Sequence, residues 1–200
     1  MAEAMRERIL AAAVDVVTER GIAAATTKEI ARAAGVSEGS LYNHFGNKTE
    51  LIGATMAELA GGVRDAMLDL LGRVGAGTVE DNLVGAAEAV IGFYGRLLPV
   101  TGSVYGDPVM LAQIRREMPE QGLGPLRGHE ALIGYLGAEQ RAGRIAAELR
   151  PPDLAAALLG SCQQYAFLVM LVEPEQLTAA AGLSADRAEY ARGIVRLLLR

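Results

Sequence analysis

The chain has very few of the side chains that build disulfides and metal sites. Its 200 residues include one cysteine, Cys162, and two histidines, His44 and His129. A single cysteine excludes an internal disulfide, and one cysteine with two histidines is too small a set for a structural zinc site. We therefore expect a protein of a reducing compartment, with no metal site and no cofactor.

Segments that could enter a membrane are also lacking. The first ten residues contain no apolar stretch, and the longest uninterrupted apolar run spans residues 165–172. A helix needs about 20 apolar residues to cross a bilayer. We therefore expect a soluble, cytoplasmic protein without a membrane partner.

The chain has no excess of positive charge. Its formal net charge is -5, and residues 1–50 hold six basic and seven acidic side chains. This balance excludes a polybasic coat for nucleic acid, but it allows a small contact surface. Affinity for DNA would then depend on the positions of individual groups and on neutral hydrogen-bond donors.

Apolar residues recur at helical spacing along almost the whole chain, whereas the alternating pattern of strands is missing. We therefore predict an all-α fold of about nine helices. In the first helix, Met5, Ile9, Ala12 and Val16 form one buried stripe, and Gly21 is expected to end the helix in a left-handed conformation.

Three polar residues are expected to cap the next helices through their side chains: Thr26, Ser37 and Asn47. These helices are predicted at residues 27–34, 38–44 and 48–73. Further helix starts are marked by Pro, Ser, Thr and Asp. The corresponding helices are predicted at residues 79–98, 108–118, 125–142, 153–172 and 185–200.

Residues 26–51 have the layout of a helix-turn-helix: a short helix, a break that contains Gly35, and a second short helix. Ile30, Ala31 and Ala34 can form the apolar face against which the second helix packs. An ordinary corner between two helices fits the same pattern, so the polar residues must decide between the two interpretations.

The polar residues of the second short helix favour DNA. Glu38, Gly39 and Ser40 occupy its first turn, which meets base edges in a recognition helix. Gly39 permits close approach, and Ser40 can bond a base edge or a phosphate. Glu38 can accept from the amino group of cytosine or pair with a neighbouring cation, and we favour the second. Donors to the flanking phosphates are Tyr42, Asn43 and His44.

Both lysines of the chain, Lys28 and Lys48, fall in this segment. Lys48 lies in the first turn of the following helix, where free N–H groups and the helix dipole favour an anion. Its side chain and the backbone could hold one phosphate together, although a solvated surface lysine is the alternative.

Taken together, these residues resemble the DNA-binding domain of the TetR family of bacterial transcription regulators. The matching residues are Thr27, Ile30, Ala31, Ala34, Gly35, Val36, Ser37, Gly39, Leu41, Tyr42, His44, Phe45, Lys48 and Leu51. The resemblance covers residues 4–52 closely. Beyond them it is carried by the number of helices and by the segment 143–160.

The resemblance implies a role for individual residues. Phosphate contacts would come from Thr27, Tyr42, His44 and Lys48, and Lys28 beside them is an additional candidate. Ser37 would cap the recognition helix and bond a phosphate, and Gly39 with Ser40 would face the bases. Asn43 falls at a position that the family varies, so its DNA contact rests on its chemistry alone.

The resemblance also implies two functional domains, a helix-turn-helix DNA-binding domain at residues 1–47 and a helical effector-binding and dimerisation domain at residues 48–200. The last two predicted helices would pair with those of a second copy, so that two recognition helices about 34–36 Å apart read a palindromic operator. An unidentified, largely apolar small molecule would bind among the middle helices. Its candidate contacts are Phe93, Tyr105, Met110, Gln113, Gln163 and Phe167, which an ordinary core would also explain.

These features predict a nucleoid-associated repressor that leaves its operator when the effector binds. A helix-turn-helix regulator without a small-molecule response is the alternative. The string at residues 35–39 also matches the G-x-S-x-G pattern of serine hydrolases, but no apolar strand leads into Ser37, so we predict no enzyme. Cys162 lies on an apolar stripe without a basic neighbour, which predicts an inert core thiol.

Overall fold

The computed structural model describes residues 2–106, 108–109, 111–112, 115–116, 124 and 126–200. Throughout these residues the regular structure is helical and no strand occurs, which confirms the predicted all-α fold. The helices are α1 (Ala2–Ala24), α2 (Thr27–Ala33), α3 (Glu38–His44), α4 (Lys48–Gly72), α5 (Val79–Tyr105), α6 (Leu126–Arg141), α7 (Pro151–Leu171), α8 (Pro174–Ala181) and α9 (Arg187–Leu198).

The chain forms two compact units, and two of the boundaries between them fall inside helices, one in α4 and one in α5. The N-terminal unit comprises Met1–Gly61 and Arg96–Gly124, and the C-terminal unit comprises Gly62–Gly95 and Pro125–Arg200. The functional division at residue 47 stays a prediction.

The core of the N-terminal unit is built on the apolar stripe of α1. Ile9 and Val16 are buried as predicted, and they share this core with Leu41, Phe45 and Leu51 of the following helices. A large apolar side chain of this kind contributes roughly 1.5–3 kcal/mol when it is fully buried. This core fixes the short helices α2 and α3, which are too short to be stable by themselves.

Gly21 has the positive φ that the sequence indicates. Its φ of 76° is paired with a ψ of 160°, so the residue lies outside the left-handed helical region in which it was expected. The helix therefore kinks at Gly21 and resumes as far as Ala24 instead of ending there.

The core of the C-terminal unit gathers apolar residues from α4, α5, α6, α7 and α9 around Tyr135, Leu136, Leu158 and Cys162. One polar contact in this core joins two helices. Asn82 donates to the Tyr135 hydroxyl at 3.0 Å and to the carbonyl of Ala76 at 2.8 Å, which ties α6 to the start of α5. Burial, the largest effect, and the neighbouring Glu139 carboxylate raise the pKa of Tyr135, so this phenol stays protonated.

The predicted end of the fifth helix is wrong. The prediction ended the fifth helix before Pro99, because proline disfavours a helix interior by about 3 kcal/mol. In the structure α5 continues to Tyr105, since Val100 and Val104 beyond the proline are buried in the core of the N-terminal unit. Of the helix predicted at residues 108–118, the described residues 108–109, 111–112 and 115–116 are helical.

One helix, α8, was not predicted. It begins with Pro174 at its first position and ends at Ala181, and the following Gly182 has a left-handed φ of 66°. Glu173 and Gln176 form its capping box. These signals are present in the sequence, but the cap is a glutamate in place of the usual Ser or Thr. The last helix, α9, was predicted to start at residue 185. It starts at Arg187, and the Asp186 side chain caps it.

Within the described part of the chain, two helices, spanning Val79–Gly102 and Pro151–Leu171, are long and apolar enough to cross a membrane by length and composition. The expectation from uninterrupted apolar runs did not anticipate this. Both helices supply buried residues to the helical core, for example Ala87 and Leu158, and a core helix of a soluble protein passes the same test.

Candidate nucleic-acid interface

The turn between α2 and α3 has the geometry of a helix-turn-helix. The amide of Val36 donates to the carbonyl of Ala31 at 2.9 Å, and Gly35 takes a φ of 64°, which closes α2 in a tight turn. Ile30, Ala31 and Ala34 are buried as predicted.

Ser37 caps α3 as the sequence predicts. Its Oγ accepts from the amide of Ser40 at 3.1 Å, and the hydroxyl hydrogen can still be donated elsewhere. The cap sets the direction of α3, whose Leu41 is completely buried. Because Leu41 is held in the core, the opposite face of α3 is turned to solvent.

Five of the residues predicted to contact DNA lie on α3. Gly39, Tyr42 and Asn43 are exposed, whereas Ser40 and His44 are partly buried. A Cβ added at Gly39 would lie 4.0 Å from its nearest neighbour, the Ser37 hydroxyl oxygen. A ligand can therefore approach the Gly39 backbone closely. On α2, Lys28 is exposed and Thr27 is buried to 8% exposure.

Lys48 is the first residue of α4 and is partly buried. The predicted cap is confirmed, since Asn47 Oδ1 accepts from the amide of Glu50 at 2.8 Å. The Glu50 carboxylate in turn accepts from the amide of Gly46 at 2.9 Å. The amide of Glu50 is therefore already engaged, and a phosphate at this helix start would rely more on the Lys48 ammonium than the sequence alone indicated.

A chain of hydroxyl groups links α2 to α3. The Tyr42 hydroxyl donates to Thr27 Oγ1 at 3.4 Å, and the Thr27 hydroxyl donates to Glu38 Oε1 in a short hydrogen bond. Glu38 was expected to pair with a cation. Its partner is instead the neutral hydroxyl of Thr27, which the turn between α2 and α3 brings within reach.

Two contacts around this surface were not predicted. The Arg6 guanidinium lies over the Phe45 ring, 4.8 Å from its centroid, and so places a cation beside the C-terminal end of α3. Arg20 pairs with Glu29 at 2.6 Å and joins α1 to α2. Local sequence patterns carry no signal for either contact, because the partners are 39 and 9 residues apart.

Hydrogen bonds in the capping box of α2 stabilise the negative charge of Glu29. The backbone amide and then the hydroxyl of Thr26 donate to the Glu29 carboxylate and lower the pKa of that carboxyl, with a smaller contribution from Arg20. Glu29 therefore stays ionised and holds both the cap and the α1–α2 ion pair.

The residues predicted to contact an effector fall in both units: Tyr105 belongs to the N-terminal unit, whereas Phe93, Gln163 and Phe167 belong to the C-terminal unit, and their role stays a prediction. Tyr105 is 66% exposed, and Gln163 and Phe167 lie on an exposed face of α7. Phe93 is partly buried, with its ring centroid 5.4 Å from that of Tyr94. Met110 and Gln113 lie outside the described residues.

Cys162 is completely buried, and its Sγ faces the carbonyl of Ala87 at 3.8 Å. Burial raises the pKa of this thiol to about 12. The thiolate is therefore scarce at neutral pH, which agrees with the predicted inert core thiol.

Comparison with known proteins identifies the N-terminal segment. Residues 9–55 match the family described as bacterial regulatory proteins, tetR family. This segment is thus similar to the DNA-binding domain of that family. The match contains α2, α3 and the start of α4, and it confirms the family resemblance indicated by the motif.

One relative is the HTH-type transcriptional regulator BetI of Escherichia coli K12, which is 34% identical over 87 residues. This match covers 44% of the present chain and 43% of BetI, so the chain spans less than half the length of the curated relatives that it matches.

Solved structures resemble the fold over nearly the whole chain. The fatty acid degradation regulator FadR from Bacillus halodurans gives a TM-score of 0.68 at 21% identity, with 97% of this chain and 94% of that chain covered. The TetR transcriptional regulator SCO0520 from Streptomyces coelicolor gives 0.56 at 25% identity, with 97% and 95% covered. The helices after the TetR-family domain therefore also have the fold of such regulators.

Proposed function

We propose that this chain is a sequence-specific, DNA-binding transcriptional regulator, which acts as a repressor of a palindromic operator and is released by a small molecule. The observation that carries the proposal is the TetR-family match at residues 9–55 together with the exposed polar face of α3. The direct contacts are proposed for Thr27, Lys28, Ser37, Gly39, Ser40, Tyr42, Asn43, His44 and Lys48.

A single recognition helix is insufficient for specific binding, because one short helix reaches few base pairs. We therefore include a homodimer in the proposal. On α7, Phe167, Met170 and Leu171 lie on one side of the helix, at 46%, 43% and 59% exposure, and Leu197 of α9 is 65% exposed. Burial of this apolar surface against the same surface of a second copy would form the dimer, with Phe167 as an interface residue.

The proposed response to an effector requires one element that both sites influence. α4 is continuous from Lys48 at the proposed DNA surface to Gly72. A small molecule bound in the C-terminal unit would shift α4 and change the distance between the two recognition helices of the dimer. A coupling of about 1–3 kcal/mol would weaken operator binding by roughly 5- to 150-fold.

Selection of bound duplexes from a random library tests DNA recognition. The expected result is a palindromic consensus whose half-sites are one helical turn apart, bound at least a thousandfold more tightly than random duplex. Loss of any sequence preference against bulk competitor DNA would contradict the proposal.

The dimer is tested by sedimentation of Phe167→Glu beside a matched control, Leu68→Glu. Both side chains are exposed in the single chain, at 46% and 62%, so neither change removes a core residue. The first variant is expected to become monomeric and to lose operator binding, whereas the second stays dimeric. A parent protein that sediments as a monomer would contradict the dimer.

The effector is sought by screening small molecules for release of the selected duplex. A compound that weakens operator binding at saturation supports the ligand response. If saturating binders in the C-terminal unit leave operator affinity unchanged, the chain is the helix-turn-helix regulator without a small-molecule response.

A further inference from the structure

The hydroxyl groups of Thr27 and Tyr42 are already committed within the protein. Each hydroxyl has one hydrogen to donate. Tyr42 donates its hydrogen to Thr27 Oγ1, and Thr27 donates its own to the Glu38 carboxylate. The chain of donors therefore ends on an anion that belongs to α3, in the first turn of the proposed recognition helix.

A carboxylate oxygen and a phosphate oxygen are both anionic acceptors that form strong hydrogen bonds with hydroxyl groups. Toward Thr27, Glu38 thus takes the place that a DNA phosphate would take. A phosphate can receive the hydrogen of Thr27 only after Glu38 has released it. The released carboxylate then remains in the interface, where it is repelled by the phosphates.

We propose that Glu38 is a specificity-determining residue, which opposes binding to every duplex and is compensated only where a base edge donates to its carboxylate. In the major groove, the N4 amino group of cytosine is such a donor. The inference rests on the proposed DNA-binding function and extends it. It predicts one cytosine in each half-site that Glu38 contacts, and Thr27 turned to a phosphate in the bound state.

The test compares the parent with Glu38→Ala and Glu38→Gln. Alanine removes the carboxylate and the acceptor, whereas glutamine removes the charge and keeps an acceptor oxygen. The control is Glu58→Gln, which makes the same change in net charge at an exposed position of α4. Dissociation constants are measured on the duplex selected by the parent, on the same duplex with the cytosine replaced, and on random duplex.

Glu38→Ala is expected to bind random duplex about tenfold more tightly than the parent, and to bind the cytosine and replaced duplexes within twofold of each other. The parent is expected to prefer cytosine by about tenfold, the lower part of the range for one base contact. Glu38→Gln should gain affinity for random duplex while it keeps part of the cytosine preference. Glu58→Gln should match the parent within twofold on all three duplexes.

A second measurement tests the contact in the absence of DNA. Thr27→Val, Glu38→Ala and the double variant form a cycle of unfolding equilibria, and valine keeps the shape of the 8% exposed Thr27 side chain. A coupling of about fivefold in the unfolding constant is expected for a hydrogen bond to a partly exposed carboxylate. Additive effects would remove the contact on which the inference depends.

The two hypotheses fail in different ways. If the parent selects a palindrome but the specificity ratio of Glu38→Ala lies within twofold of that of the parent, the inference is refuted and the DNA-binding function stands. If the parent selects no sequence, both are refuted.

Discussion

The ion pair between the buried Glu139 and the partly exposed Arg144 in the C-terminal unit allows a prediction: the loss of stability depends on which partner is removed. Glu139 Oε1 accepts from the amide of Gly75 at 3.1 Å, and Oε2 lies 3.4 Å from Arg144 Nε. The Arg144 guanidinium also donates to the carbonyl of Gly77. The pair thus joins the end of α6 to the loop between α4 and α5.

The two side chains differ in access to water. The Glu139 side chain is completely buried, whereas that of Arg144 is 27% exposed. Glu139→Gln leaves a guanidinium that water can reach, and its amide oxygen can still accept from Gly75. Arg144→Met leaves a carboxylate without its cation and without solvent. Removing the partner of a buried charge, as Arg144→Met does, costs about 3–5 kcal/mol. Loss of one hydrogen bond to a charged group, as in Glu139→Gln, costs roughly 1.5–3 kcal/mol.

We therefore expect Arg144→Met to lower the free energy of unfolding by more than Glu139→Gln, with a difference of about 1–2 kcal/mol. The double variant strands no charge, so it should be more stable than Arg144→Met alone. Urea unfolding followed by circular dichroism at pH 7 measures all four proteins. An equal or reversed order of the single variants, or additive losses in the double variant, would refute the argument from desolvation.

Three further predictions concern single groups. Lys48→Ala should weaken binding to all duplexes alike and reduce the slope of log affinity against log salt by about 0.9, and equal salt slopes for this variant and the parent would refute the proposed phosphate contact. Ser40→Ala should instead change which bases are selected. Because burial raises the pKa of Cys162 to about 12, iodoacetamide should fail to label the folded protein at pH 8 and should label it fully in urea, as mass spectrometry would show. The pKa of Glu29 is lowered below its ordinary value of 4.5, so the stabilisation from this carboxylate is present above that value and is lost as the pH falls through the lower folded value. The difference in stability between parent and Glu29→Gln should accordingly shrink below about pH 4.5, and a constant difference in acid would contradict it.

The capping residues of the N-terminal helices were predictable because the atoms they join are close in the chain. Thr26, Ser37 and Asn47 each bond an amide three residues later. The end of α5 was not predictable in this way. Pro99 is a local signal against a helix, and only the burial of Val100 and Val104 outweighs it.

The same distinction holds for the proposed DNA surface. The sequence predicted which polar residues lie on α3 and that Leu41 anchors the helix. It did not predict that Thr27 would bond Glu38, because these residues are 11 positions apart and belong to different helices.

The sequence by itself determined the all-helical architecture, the helix-turn-helix at residues 26–51 and the family of that segment, because helical periodicity, caps and turn glycines act over three or four residues. Tertiary structure alone decided that the Glu38 carboxylate accepts a hydrogen bond from Thr27 and which face of α7 stays exposed. It also decided that Glu139 is buried beside Gly75, 64 residues away. These contacts depend on how helices pack, and packing joins residues that no local pattern connects.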